Sequence, residues 1–574
     1  MLIAGLSAFG QNPGACVMRD GRLIAFAEEE RFIRIKGANL RFPAKALAYC
    51  LREAGATLAD VDRFAVGWNA EKYRARMPLF FARQFFKNLG AASDGSVMRI
   101  LAEIADQQPK AIIRRATLAL REEGLHGRVP EFVFVDHHLA HAASTFFASG
   151  FDDASVLIVD GSGEDRSTSF YAGRGLDIKD AGHVEFPDSL GWFYAAVTSF
   201  LGFRAYEEEG FTMGLAPYGK LTAEWRDKME KLVRFEANGL YRVDPRYTLL
   251  GTHTTNEHFA DELTALLGPP RLPKDPLNQT HKDIAAAAQE RLEQTVLRLV
   301  SKLVAQTGSR KLCIAGGVAM NCKMNGVIGA SGLVDALFVQ PAAHDSGTAL
   351  GAAMWVSARS GEDPRFRMET AQWGPGYTSA EVEKAARTAG MSFTRPPSIE
   401  EKAAEALAEG KVVAWFNGRM EVGPRALGGR SILAHPGMPG MNDRVNRDVK
   451  FRDSWRPFCP SMLEDGATDY LKPSLETRFM TVAAEANERG LREIPAVIHV
   501  DGSTRPQTVS ERTHPAYARA IGAFARLAGL PVVLNTSLNV KGEPVACTPM
   551  DALRCFYSSG IDAIALEDIW LSKG

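Results

Sequence analysis

The chain has 574 residues, room for three or four domains at roughly 150 residues each. Hydrophobic residues make up 46% and charged residues 24%, and 67 Lys and Arg against 68 Asp and Glu leave a net charge of -1, without the basic excess of a general nucleic-acid scaffold. No apolar run approaches the roughly 20 residues that span a bilayer, no basic leader opens the chain, and seven scattered cysteines form no C-x-x-C pair, which argues against a secreted disulfide framework or a thiolate zinc site and for a reduced cytoplasmic setting.

From the N-terminus the pattern reads strand, turn, strand, turn, strand. Apolar runs at 2–6, 15–18 and 23–26 are broken by Gly10-Gln11-Asn12-Pro13-Gly14 and by Arg19-Asp20-Gly21-Arg22, whose Asp-Gly pair is a hairpin signal. The rhythm returns where Val156-Leu157-Ile158-Val159 meets Asp160-Gly161-Ser162-Gly163, followed by a run at 167–171 and the turn Gly173-Arg174-Gly175. Such paired heads mark the actin, sugar-kinase and chaperone ATPase superfamily, whose two turns hold a nucleotide's phosphates; two unrelated meanders would give the same rhythm. Ile284, Ala288, Leu292, Val296, Leu299 and Leu303 share one helical face, predicting a helix over 282–306 that stops at Gly308. The strand after it ends in Gly316-Gly317, a turn that lets a ligand approach the backbone. Periodicity lapses over 357–377, so the domains are placed at 1–360 and 361–574, the second with its own apolar strands at 412–416 and 530–534.

Several motifs carry candidate chemistry. In Asp136-His137-His138-Leu139-Ala140-His141, His137 and His141 fall on one face if 139–147 is helical, a spacing that suits a transition metal and also occurs in hydrogen-bonded surface histidines. Asp160 ends a strand, and Asp345 stands where it is either a metal-directed acid or a helix cap. Converging N and O donors would favour iron, manganese or zinc over calcium. Gly423-Pro424-Arg425-Ala426-Leu427-Gly428-Gly429-Arg430 sets two arginine forks in glycine-rich backbone, suited to phosphate or carboxylate or else ordinary surface residues. Lys450-Phe451-Arg452-Asp453-Ser454-Trp455-Arg456 interleaves cations with aromatics, and Arg505 with Gln507, then Asn535, Ser537 and Asn539, complete an array suited to an acidic small molecule.

These motifs, with Ala27-Glu28-Glu29-Glu30-Arg31-Phe32, Met213-Gly214-Leu215-Ala216-Pro217-Tyr218-Gly219 and Arg456-Pro457-Phe458, run almost end to end in the order found in the O-carbamoyltransferases of nodulation factors, aminoglycosides and cephem antibiotics, which the sequence resembles. The resemblance implies an α/β protein: a duplicated actin/sugar-kinase-like (ASKHA) N-terminal domain, similar to threonylcarbamoyl-transfer enzymes, and a YrdC-like α/β C-terminal domain. It implies that the C-terminal domain joins carbamoyl phosphate to ATP (with Mg²⁺), and that the carbamoyl-AMP passes to an acceptor hydroxyl at the N-terminal metal site. By the same resemblance, His137, His141, Asp160 and Asp345 ligate a divalent metal, expected to be Fe²⁺. Gly161, Gly316, Gly317 and Asn321 line the nucleotide site. Lys450, Arg456 and Arg505 clamp the anions and count as catalytic, and Arg425, Arg430, Ser537 and Asn539 bind substrate. The expected partners are carbamoyl phosphate and a hydroxyl-bearing sugar, aminoglycoside or other natural product, with a homodimer and neither nucleic acid nor membrane.

Two departures stand out. The family's first-turn histidine is replaced by Gln11, which cannot accept a proton, so His138 is the first candidate base; and Phe211 stands where lysine is frequent. An ASKHA-type phosphotransferase and a non-catalytic or altered ATP-binding relative are the competing readings. Residues 70–130 and 185–260 are expected to face the acceptor.

Overall fold

The computed structural model describes residues 1–76, 105–248, 258–473 and 475–573. The segments expected to face the acceptor include 77–104 and 249–257, which lie outside the described residues. The chain divides into two compact units: Met1–Ile24 with Asn39–Arg367, and Ala25–Ala38 with Met368–Gly574. The break near 360 thus falls at Arg367, and a piece of the N-terminal sequence belongs with the C-terminal unit.

The first unit contains two five-stranded sheets. β1 (Leu2–Ser7) pairs antiparallel with β2 (Gly14–Arg19), Leu2 opposite Arg19 and Ser7 opposite Gly14. Asp20 and Gly21, with φ of 50° and 77°, turn β2 into β3 (Arg22–Glu28), the left-handed pair that a two-residue hairpin requires. β4 (Arg63–Val66) lies parallel to β1, and β5 (Glu131–Phe134) parallel to β4, in the order β3-β2-β1-β4-β5. In the second sheet β6 (Asp153–Val159), β7 (Arg166–Arg174) and β8 (Asp177–Glu185) form an antiparallel meander. A small hairpin of β9 (Val233–Phe235) and β10 (Tyr241–Val243) intervenes before β11 (Lys311–Ala315) joins parallel to β6 and β12 (Ala336–Val339) parallel to β11. The resulting order, β8-β7-β6-β11-β12, repeats the first sheet strand for strand. This duplication is the actin/sugar-kinase-like architecture.

Two helices fill the space between the sheets. α1 (His137–Phe146) packs on β6 and β11; a long α2 (Gln279–Thr307) flanks the second sheet; α3 (Ser346–Arg359) packs on β1, β2 and β4 and against α1. The predicted helix 282–306 is α2, capped by the Asn278 side chain and closed by Gly308 at φ 78°. The α1–α3 contact depends on one glycine. A Cβ on Gly351 would lie 1.7 Å from the Ala140 carbonyl oxygen, so only glycine lets the helices cross this closely.

The second unit is built on a seven-stranded mixed sheet. Its strands are β13 (Val413–Phe416), β14 (Arg430–Ala434), β15 (Cys459–Leu463), β18 (Gln507–Val509), β19 (Val532–Ser537), β20 (Ala563–Leu566) and β21 (Ile569–Ser572), with a separate pair β16 (Ala484–Glu485) and β17 (Ser503–Thr504). The order is β18-β15-β19-β14-β13-β20-β21. α4 (Ile399–Ala408) and α5 (Pro515–Ala528) pack together over it, burying Trp415, Phe416, Ile432, Phe524 and Val533. The segment Ala25–Ala38 docks here through its arginines. Arg31, buried, donates to Glu28 Oε2 and to the Gly423 carbonyl, both at 2.8 Å; Arg34 donates to the carbonyls of Val545 and Pro544 at 2.6 and 2.9 Å. Among the described residues no helix is long and apolar enough to cross a membrane.

Candidate active site

Strand ends of the first unit bring four ligand-type side chains together. β5 runs into α1, which begins with His137 and offers His141 one turn on; β6 ends just before Asp160; Asp345 immediately precedes α3. One donor atom from each of the four lies within 4.8 Å of the others. His137 Nε2 is 3.1 Å from Asp160 Oδ2 and 3.8 Å from Asp345 Oδ1; for His141 Nε2 the distances are 3.6 and 3.9 Å. Three of the four are buried, whereas the Asp345 side chain is 26% exposed, so the cluster opens on one side.

The donor set fits a divalent ion. Both ring nitrogens of His141 are enclosed yet lack a hydrogen-bond partner, a costly state for a buried imidazole that an ion among the four donors would relieve. Two nitrogens and two carboxylates suit iron, manganese or zinc. His137 Nδ1 sits 3.0 Å from the Gly67 carbonyl, which leaves Nε2 directed at the acids. Burial opposes charge on His137, but its hydrogen bond to Asp160 and the charges of Asp345 and Asp160 raise it to about 10. Burial raises the Asp345 carboxyl, with Asp160 adding to it; Asp160, despite burial, is held well below the carboxylate range by His137 and His141.

Of the glycines assigned to the nucleotide, Gly317 bonds the acid. The Gly317 amide donates to Asp160 Oδ1 at 2.8 Å, and Gly316, at φ 96°, approaches Val159 so closely that a Cβ would meet its carbonyl oxygen at 2.3 Å. The Gly161 carbonyl accepts from Ser189 Oγ at 2.6 Å. Asn321 differs from its expected role: its Oδ1 accepts from the Met324 amide and from Gln289 Nε2, and its Nδ2 donates to Gln289 Oε1, so the side chain caps a helix rather than facing a ligand. His138 also moves out of contention as the base. It is 2% exposed, its Nδ1 is paired with Ser169 Oγ at 2.8 Å, and its ring lies beneath Gly163, where a Cβ would stand 3.3 Å from Nε2. Gln11 is exposed, and a Cβ on the neighbouring Gly10 would stand 3.8 Å from Asp345 Oδ2, so the first turn does border the centre.

In the second unit, Lys450, Ser537 and Asn539 converge. Lys450 Nζ donates to Asn539 O and Oδ1, each at 2.7 Å, and to Ser537 O at 2.8 Å. Burial, then the charges of Arg452, Arg456 and Lys36, lowers Lys450 to about 7; burial with Arg456 and Arg505 lowers Arg452 to about 9. Five cations therefore crowd one place, a potential ready for a polyanion. Arg452 also lines a groove of about 360 Å³ with Arg447, Phe451, Asp453 and Lys541. Arg505 Nε donates to Cys459 Sγ at 3.2 Å.

Arg430 is not the outward fork expected of it. It is fully buried, stacked 3.6 Å from the Phe416 ring centre, and its NH groups donate to the carbonyls of Gly418, Gly429 and Pro375. The loop before it is held from beneath: Glu421 Oε1 accepts the amides of Leu427, Gly429 and Arg430, Gln507 donates to Leu427 O, Asn535 to Ala426 O and Trp415 Nε1 to Gly428 O. This scaffold carries the half-buried Arg425. No motif in the sequence singles out Glu421, Lys36 or Glu164. Only Glu164 had a local signal, lying just beyond the glycine-rich turn after Asp160.

Residues 2–354 match the family described as Carbamoyltransferase N-terminus and residues 404–573 that described as Carbamoyltransferase C-terminus. The chain belongs to the carbamoyltransferase family, and it is a carbamoyltransferase. It is 36% identical to the uncharacterized protein sll1178 of Synechocystis sp., over 100% of this chain and 96% of that one. It is 35% identical to nodulation protein NolNO of Sinorhizobium fredii, over 99% of this chain and 80% of that one, and 39% identical to nodulation protein NolO of Bradyrhizobium diazoefficiens, over 76% and 79%. Among solved structures, the (R)-2-hydroxyglutaryl-CoA dehydratase component A of Acidaminococcus fermentans covers 62% of this chain and 99% of its own at 13% identity, with a TM-score of 0.28, too loose a likeness to carry an argument.

Proposed function

We propose that the C-terminal unit forms a carbamoyl adenylate, as a YrdC-like domain, and that the carbamoyl group is then transferred to a hydroxyl of a small-molecule acceptor at the His137, His141, Asp160 and Asp345 centre. The observation that carries this reading is the cation cluster around Lys450 beside Ser537 and Asn539. Carbamoyl phosphate loses its phosphate to water, and the carbamate oxygen attacks the α-phosphorus of ATP. The α–β anhydride bond breaks and pyrophosphate leaves. Lys450, Arg452, Arg456 and Arg505 hold the phosphates and offset charge building on them. Arg425 reaches the same anions from its braced loop, while Ser537 and Asn539 orient the carbamoyl amide.

In the second step the acceptor oxygen attacks the carbamoyl carbon, the bond to AMP breaks, and the hydroxyl proton is lost. A divalent ion on the four-ligand centre, expected to be iron, supplies a Lewis acid for the carbonyl and positive charge for the AMP phosphate when bound. Gly317 holds Asp160 in place for that ion, and the exposed face of Asp345 leaves room for substrate. Incubation with ATP and carbamoyl phosphate should form carbamoyl-AMP and release pyrophosphate and phosphate in equal amounts, with AMP following once a hydroxyl acceptor is supplied. Release of ADP instead would refute the scheme and favour the phosphotransferase reading that the duplicated sheets also support.

A further inference from the structure

One buried carboxylate near the centre has no place in this chemistry. Glu164 follows the turn that carries Asp160 and is 2% exposed. Its Oε1 accepts the backbone amide of His137 at 3.0 Å and that of Asn69 at 2.6 Å. Those two amides belong to the two backbone segments that hold His137. The first belongs to His137 itself, at the start of the ten-residue α1. The second lies two residues beyond Gly67, whose carbonyl receives His137 Nδ1. A surrounding lattice stiffens the arrangement. Asn69 Nδ2 donates to Asp136 Oδ1, and Lys72 Nζ bridges Asp136 Oδ2 at 3.1 Å and Asp165 Oδ1 at 2.7 Å. Asp136 directly precedes His137, and Asp165 directly follows Glu164. The amide dipoles at the start of α1 face its charge, as do the more distant charges of His137 and Lys72.

We propose that Glu164 is a positioning residue for the metal centre: its carboxylate ties the backbone of His137 to the 67–69 turn that fixes the His137 ring, and so sets where Nε2 points. The proposal rests on the reading of His137, His141, Asp160 and Asp345 as metal ligands. Glu164 touches neither ion nor substrate. It acts through the ring it orients, and a ligating histidine released from such an outer partner loses affinity about ten- to a hundredfold.

The test is metal affinity and geometry rather than turnover. The purified protein is loaded with Co²⁺, its visible absorption is recorded, and its affinity is read by competition with a chelator. Glu164→Ala should bind Co²⁺ about ten- to a hundredfold more weakly, with an altered spectrum. Glu164→Gln keeps an oxygen that can accept both amides, and should restore most of the affinity and the wild-type spectrum. Should the alanine variant fail to fold, Glu164→Asp serves in its place, because the shorter side chain cannot reach both amides. In a His137→Ala background the same Glu164 changes should no longer affect affinity. Wild-type affinity and spectrum in Glu164→Ala would overturn the proposal, as would an equal loss in the His137→Ala background. If the wild-type protein itself bound no divalent ion, the ligand reading would fall, and the role of Glu164 with it.

Discussion

Replacing Lys450 by methionine removes the ammonium while keeping the length of the side chain. In the native protein Nζ is set among three close oxygens of Ser537 and Asn539, yet burial and the charges of Arg452, Arg456 and Lys36 lower it to about 7. An unfolded lysine titrates near 10.4. Between those values the unfolded chain holds a proton that the native one has lost, so native stability rises with pH across that window, by at most about 1.4 kcal/mol per pH unit. Below about pH 7 both states carry the proton and the slope vanishes. A polyanion placed against Lys450 restores its charge, so substrate binding takes up a proton and weakens as pH climbs above neutrality. Lys450→Met should therefore lose the stability slope in denaturant titrations between about pH 7 and pH 10. Losing one charge-assisted contact to a buried anion costs roughly 1.5–3 kcal/mol, which predicts a ten- to hundredfold rise in KM for carbamoyl phosphate in a pyrophosphate-release assay. A variant that kept both the slope and the wild-type KM would refute this account of the cation cluster.

His137→Ala should lower the bound metal by elemental analysis and abolish carbamoyl transfer, while carbamoyl-AMP and pyrophosphate formation from ATP and carbamoyl phosphate persists. Gly351→Ala drives a methyl into the Ala140 carbonyl; thermal or denaturant unfolding should show a loss of about 3 kcal/mol or more, with metal affinity falling as α1 and α3 separate. Glu421→Ala strands three loop amides and should raise KM for carbamoyl phosphate more than it lowers the melting temperature, with Glu421→Gln recovering most of the loss. Gln11→His should introduce an inflection near pH 6.5 in the transfer rate, and His138→Gln should leave the wild-type profile unchanged because that ring is shut in beneath Gly163.

The clustering of His137, His141, Asp160 and Asp345 was legible because its signals are local. His137 and His141 are one helical turn apart, and Asp160 announces itself at the end of an apolar strand. The repeated strand-turn-strand heads likewise revealed the duplicated sheets. What escaped depended on partners distant in sequence. Arg430 reads as a phosphate fork until Pro375 and Gly418 supply carbonyls for it and Phe416 a ring to stack on. Asn321 reads as a ligand contact until Gln289, on α2, takes its amide. Glu421 and Glu164 look like any acid, since what distinguishes them is the set of amides that folding brings to them. Lys36 could not be joined to Lys450 by any pattern, because nothing in the motif Ala27-Glu28-Glu29-Glu30-Arg31-Phe32 says which unit it enters.

That excursion of Ala25–Ala38 bears on how the chain is made. The segment leaves the ribosome early, but Gly423, Pro544 and Val545, which receive its arginines, emerge only after several hundred more residues. At synthesis rates of about 5–20 residues per second, Arg31 and Arg34 wait on the order of tens of seconds without their acceptors. The first sheet can pair around them meanwhile, so synthesis leaves a charge-balanced, half-apolar tether projecting from a nascent domain. A gene split at Arg367 would not yield two independent proteins either: the C-terminal product would lack the strap that fills it, and would have to borrow one from another chain.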